Sequence, residues 1–171
     1  MHLAFIDIAY DYTVDRPDAD QPLGGTTTAL CFLARALVAT GHACTIFNKV
    51  TAPATAHGVP SLPLEQLESE RRNPTYDAFV FCGRWTEWLV AHIAEATQKP
   101  LIAWMHESRF GLNLVPPSPL FSHIVFVSDW QARINRPALL PHQRAHVIRN
   151  AVNPRLAALF PPERRITQDK K

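Results

Sequence analysis

Long apolar runs are missing from this chain. The most continuous ones, at residues 79–82 and 123–127, fall far short of the roughly 18 residues that a membrane-spanning helix needs, so no membrane span is predicted. Cysteine is scarce: Cys31, Cys44 and Cys82 are odd in number, sit in apolar surroundings and show no CxxC spacing, which argues against both a disulfide framework and a zinc site. Three buried free thiols are the expectation. The opening Met-His-Leu-Ala-Phe-Ile-Asp lacks a basic stretch ahead of an apolar one and lacks a small-residue cleavage site, which predicts a cytoplasmic protein. Several catalytic signatures are also missing. There is no GxGxxG dinucleotide fingerprint, no GxxxxGK[ST] phosphate loop, no HExxH and no GxSxG elbow, so a serine-triad hydrolase is disfavoured.

What is present fits one globular domain. The 171 residues are 47% hydrophobic and 19% charged, which excludes general disorder. The net charge of +2 hides an asymmetry, with −4 over residues 1–82 and +6 over residues 83–171. Arg133, Arg136, Arg144, Arg149 and Arg155 are scattered rather than packed in a run, the pattern of a solvated face rather than a nucleic-acid surface. Fifteen prolines concentrate between elements and predict stiff connections.

Periodicity orders the chain. Residues 3–8 form a short apolar run, read as a buried strand, followed by a polar loop in which Asp7, Asp11, Asp15, Asp18 and Asp20 recur. Leu30, Leu33, Ala34, Leu37 and Val38 recur at the spacing of one helical face. A threonine near residue 26 is expected to cap this helix and Gly41 to close it. Strands are predicted at 43–47, 59–62, 78–82, 101–105, 124–127 and 145–148. Helical pieces are predicted at 64–72, 85–97 and after a Ser128 cap. Alternating strands and helices with near-continuous apolar strands predict an α/β fold, an open parallel sheet with helices on both faces.

Ligands of such sheets bind beyond the carboxyl ends of the strands. The residues predicted there are 7–12, Asn48, Gly83-Arg84-Trp85, His106-Glu107-Ser108-Arg109, Ser128-Asp129 and Arg149-Asn150, a polar rim suited to a hydroxyl-rich or phosphorylated ligand. Gly24-Gly25 ahead of a helix allows close approach of an anion to bare amides; a tight turn explains the pair equally well. His106 beside Glu107, at a strand end, is placed to bond a sugar or phosphate oxygen. His2, His42, His57, His92, His123, His142 and His146 show no metal spacing and are read as structural. Arg84 and Arg109 suit a phosphate, a carboxylate or a surface ion pair, and Trp85, Trp88, Trp104 and Trp130 suit a stacking platform or the core.

Several of these pieces resemble the N-terminal domain of a family 4 glycosyltransferase of the GT-B class. Pro22-Leu-Gly-Gly-Thr, followed by the stretch from Leu33 through Gly41-His42 to Phe47, resembles that family's glycine loop, first helix and second strand. Trp104-Met-His-Glu resembles its strand ending in histidine. The segments 123–131 and 146–153 resemble its strand-then-serine piece and its V-I-x-N-G-V-D stretch. The resemblance runs from about residue 1 to 160. It implies a Rossmann-like acceptor-binding domain over residues 1–160, with 161–171 as a linker or tail toward an absent C-terminal domain.

The resemblance further implies a retaining, metal-independent transfer of a sugar from a nucleotide-sugar, with no cofactor beyond that co-substrate. His106 would be catalytic at the transferred sugar. Gly24, Gly25 and Asn150 would serve the donor diphosphate and sugar. Tyr10, Tyr12, Arg84, Glu107, Arg109 and Ser128 would serve a saccharide or lipid-linked acceptor. Ala151 and Asn153 depart from the family's glycine and aspartate. The implied partners are the acceptor and a donor-binding domain or subunit, with peripheral contact at the inner face of a membrane as an option and no nucleic acid. The chain by itself is expected to be inactive. The alternatives are a non-catalytic Rossmann-like binding or regulatory module, and a flavodoxin-like nucleotide binder that Thr26, Thr27 and Thr28 keep open.

Overall fold

The computed structural model describes residues 1–18, 23–106 and 118–150. Its elements run β1 (His2–Ile6), α1 (Gly25–Ala39), β2 (Ala43–Asn48), β3 (Ala54–Ala56), β4 (Val59–Pro63), α2 (Leu67–Glu70), β5 (Ala78–Cys82), α3 (Glu87–Ala94), β6 (Leu101–Met105), β7 (His123–Phe126), α4 (Asp129–Asn135) and β8 (Arg144–Val147). Among the described residues the strands form one sheet in the order β3-β4-β2-β1-β5-β6-β7-β8. Every neighbouring pair is parallel except β3 and β4. This is the α/β, Rossmann-like architecture that the alternation predicts.

The hairpin β3–β4 is the addition. His57 at φ 48° and Gly58 at φ 75° form the two-residue connection between Ala56 and Val59, which pair directly. Two left-handed residues in succession match the right-handed twist of the strands they join. Strand β3 is three residues long with small side chains, too short to announce itself by periodicity.

Side chains alternate across the sheet and build two cores. Ala4, Ile6, Phe47, Phe79, Phe81, Leu101, Ala103 and Met105 point to the face covered by Leu67 of α2, Val90 and Ile93 of α3 and Ala132 of α4. Phe5, Ile46, Val80, Cys82 and Trp104 point to the face covered by Leu30, Cys31 and Ala34 of α1. The chain leaves β1 through α1 toward β2 and later returns past β1 to β5. Crossovers of one hand running in opposite directions place their helices on opposite faces. The switch point therefore lies between the carboxyl ends of β1 and β5, where open sheets of this kind bind ligands.

Helix ends follow local chemistry, with one departure. The Thr86 hydroxyl accepts from the Leu89 amide to start α3, and the Ser128 hydroxyl accepts from the Gln131 amide to start α4. The α1 start differs from expectation. Its cap is Gly24, no side chain bonds there, and the threonines lie inside the first turn. Cys31, Cys44 and Cys82 are buried and free. Among the described residues no helix is long and apolar enough to cross a membrane.

Candidate functional site

Alternation decides which residues meet at the switch point. Phe5 faces α1, so Asp7 does too; Cys82 at the end of β5 faces α1 as well. A pocket of about 110 Å³ opens between these strand ends and the start of α1, lined by Asp7, Ala9, Tyr10, Gly24, Gly25, Thr26, Thr27, Cys82, Gly83 and Arg84. Seven residues expected at the site from sequence, Asp7, Ala9, Tyr10, Gly24, Gly25, Gly83 and Arg84, thus share one cavity.

The floor of this pocket is a buried carboxylate. Asp7 is 1% exposed. Its Oδ2 accepts from the Tyr12 hydroxyl at 2.9 Å and from the Thr27 hydroxyl at 3.4 Å, and its Oδ1 accepts from the Ala9 amide at 2.9 Å. A buried carboxylate requires such partners. Burial, and then the neighbouring Asp7 charge, push the Tyr12 phenol and the Cys82 thiol well above their ordinary values, so both stay protonated at neutral pH. Tyr12, expected beside an acceptor, is itself buried. Its side chain lies behind the pocket wall and supports it.

The wall of the pocket is stitched to β2. The Asn48 side-chain amide donates to the Tyr12 carbonyl at 2.7 Å, and the Lys49 amide donates to the Tyr10 carbonyl at 3.2 Å. Behind it, Arg35 of α1 pairs with Asp18 at 2.8 Å.

The roof is the amino end of α1. The first backbone bond runs from the Thr28 amide to the Gly24 carbonyl, so the amides of residues 25–27 precede the helical ladder and carry the helix's positive end. Gly24 has φ −60°, Gly25 is not among the left-handed residues, and a Cβ added at either would meet nothing within 4 Å. Among the described residues, neither glycine is required by a positive φ or by close packing. Gly83 is different: its φ is 70°, and a Cβ there would stand 3.1 Å from Thr26 Cγ2.

His106 follows β6 on the same face as Asp7 and Cys82, packed against Trp104 with ring centroids 4.5 Å apart. Burial holds its imidazole at about 4, below the ordinary 6.5, so it is neutral at physiological pH. Asn150 Nδ2 lies 3.4 Å from His106 Nδ1. The His106 Nε2 atom is buried without a hydrogen-bond partner among the described residues. His106 and Asn150 thus pair with each other and do not line the pocket. Ser128 spends its hydroxyl as a helix cap. Glu107 and Arg109 lie outside the described residues. Among the described residues no three His, Cys, Asp or Glu side chains converge as metal ligands would.

Sequence reasoning missed Asp7 as the organising group and Thr27 as its partner. An acid closing an otherwise apolar strand was the available signal.

No protein-family model matches the chain, and no curated protein matches it. Solved structures do. Sucrose-phosphate synthase from Thermosynechococcus elongatus superposes with a TM-score of 0.65 at 14% identity, over 94% of this chain and 53% of that one. Anabaena HepE, solved in complex with UDP-glucose, superposes with a TM-score of 0.53 at 18% identity, over 91% of this chain and 45% of that one. The chain therefore shares its fold with part of these proteins, a GT-B glycosyltransferase-like fold, and spans about half the length of the structures it matches.

Proposed function

We propose that this chain is the acceptor-binding half of a retaining, metal-independent glycosyltransferase similar to family 4, working with a donor-binding domain or subunit. The observation that supports this reading is the pocket at the switch point, roofed by Gly24 and Gly25. Among the described residues no side chain packs where a Cβ would stand at either position and neither has a positive φ, which favours close approach of a ligand to the amides at the helix start. Those amides and Arg84 suit a developing negative charge on a leaving diphosphate. In this reading His106, neutral at physiological pH and on the same sheet face as the pocket, is the residue nearest the transferred sugar. In this reading residues 1–160 bind the acceptor, 161–171 lead toward the second domain, and the chain without that domain is inactive.

The test purifies the polypeptide that contains this chain from its source, together with whatever accompanies it, and measures nucleoside diphosphate released from a panel of nucleotide-sugars. Release that depends on added acceptor is expected, with at least a tenfold loss in His106→Ala. Gly25→Ala should fold as well as the parent, since alanine is the better helix former, yet lose turnover. No release with any donor, or full activity in Gly25→Ala, overturns the proposal.

A further inference from the structure

The residues that line the polar pocket alternate with residues that line a second one. Ile8 lies between Asp7 and Ala9 and points to the opposite face of the sheet; Thr86 lies two residues past Arg84. Ile8 and Thr86 belong to a pocket of about 350 Å³ whose wall is almost wholly apolar, built from Leu64, Leu67 and Leu89 with Trp88 at its mouth. Trp88 is 70% exposed. One face of its indole stacks on His92, with centroids 4.9 Å apart and planes 13° apart. His92 is fixed in turn by Glu68, which also holds Arg71 at 2.7 Å. A large aromatic ring held rigid and left exposed beside an apolar cavity is a built surface rather than a stray hydrophobe.

We infer that this pocket seats the uncharged apolar portion of the glycosyl acceptor, an alkyl or aryl aglycone. The acceptor's hydroxyl end crosses the ends of β1 and β5 to the polar pocket. The inference rests on the glycosyltransferase reading above and narrows its acceptor to one that carries an apolar tail. Three observations direct the choice. Residues 7–9 and 83–86 contribute in turn to the two cavities, which places both at the carboxyl ends of β1 and β5. The volume lies at the lower end of the roughly 300–1,000 Å³ that small-molecule sites occupy, enough for an alkyl or aryl group. The lining holds Glu65 and Glu68 and, among the described residues, no lysine or arginine, which gives a phosphate or carboxylate tail no fixed cation.

The experiment titrates the chain with alkyl glucosides from methyl to octyl, below their micelle concentrations, and follows 1H–15N spectra. Affinity should rise about two- to fourfold per methylene, since a methylene removed fully from water is worth roughly fourfold. The shifts should centre on Ile8, Leu64 and the Trp88 indole. Trp88→Ala, at a site too exposed to endanger folding, should weaken octyl glucoside at least tenfold and leave methyl glucoside unchanged; Leu64→Gln should do the same from inside the pocket. Affinity independent of chain length, or shifts centred elsewhere, overturns the inference.

A transfer assay on the purified source polypeptide separates this failure from that of the parent reading. Product from octyl and methyl glucoside with equal KM, unaltered by Trp88→Ala, overturns the pocket alone. No product from any acceptor overturns the glycosyltransferase reading and the acceptor assignment with it.

Discussion

Replacing Gly83 with alanine adds a steric cost to a backbone cost at one atom. Gly83 sits at φ 70°, and the added Cβ would stand 3.1 Å from Thr26 Cγ2. The left-handed conformation costs an alanine about 1–2 kcal/mol. The close contact requires the first turn of α1 to yield by a few tenths of an ångström, adding about 1 kcal/mol as mild overpacking does. Gly83→Ala should therefore lose about 2–3 kcal/mol, a fall in Tm of roughly 4–12 °C for a domain of this size. Thr26→Ser removes the offending methyl and should change little alone. Combined with Gly83→Ala it should restore about 1 kcal/mol, the steric share, and leave the dihedral share unrecovered. The assay is urea unfolding of the four proteins in a double-mutant cycle. A Gly83→Ala loss under about 0.5 kcal/mol, or a double variant no more stable than Gly83→Ala, would refute the reasoning.

Three further outcomes are expected. Asp7→Ala leaves the Tyr12 and Thr27 hydroxyls and the Ala9 amide without their buried acceptor and should cost about 2–4 kcal/mol in chemical denaturation, whereas Tyr12→Phe should cost about 1 kcal/mol. The His106 ring should titrate by NMR with a midpoint near 4. Because that value lies below the unfolded 6.5, the unfolded chain takes up the proton first. The stability this group supplies above pH 6.5 is then lost as pH falls toward 4, and His106→Gln should flatten that decline; parallel curves for the two proteins would contradict the assignment. Burial pushes the Cys31 thiol up to about 12 and the Cys44 thiol up to about 11, so a thiolate-seeking disulfide reagent should label no cysteine of the described fold until denaturant is added; prompt labelling of either would show that the cores open.

Much of the fold was legible because it rests on periodicity. The apolar runs at 78–82 and 101–105 became β5 and β6, and Ser128 began a helix as its residue type predicts. Helix lengths were less legible. The piece expected over 85–97 starts only at Glu87, because Thr86 spends its hydroxyl on the cap, and ends at Ala94. At the site, Tyr10 and Arg84 could be gathered from the rule about strand ends, and Gly24 and Gly25 from a glycine pair ahead of a helix. Burial of Tyr12 could not, since it depends on Asp7 reaching a residue five positions away through a loop whose path is set by Asn48 of β2. The second pocket was hidden for a related reason: Trp88 reads like any core tryptophan until the helix carrying it is placed on the sheet.

The bonds from Asn48 and Lys49 to the 10–12 backbone have a kinetic consequence. A wall already fastened to a central strand gives up little further freedom when a ligand arrives, so little of the binding energy goes into ordering it. Entry to the polar pocket should then resemble filling a socket rather than closing a jaw. The observed association rate should climb linearly with ligand concentration, without the plateau that a slow rearrangement of this wall would impose.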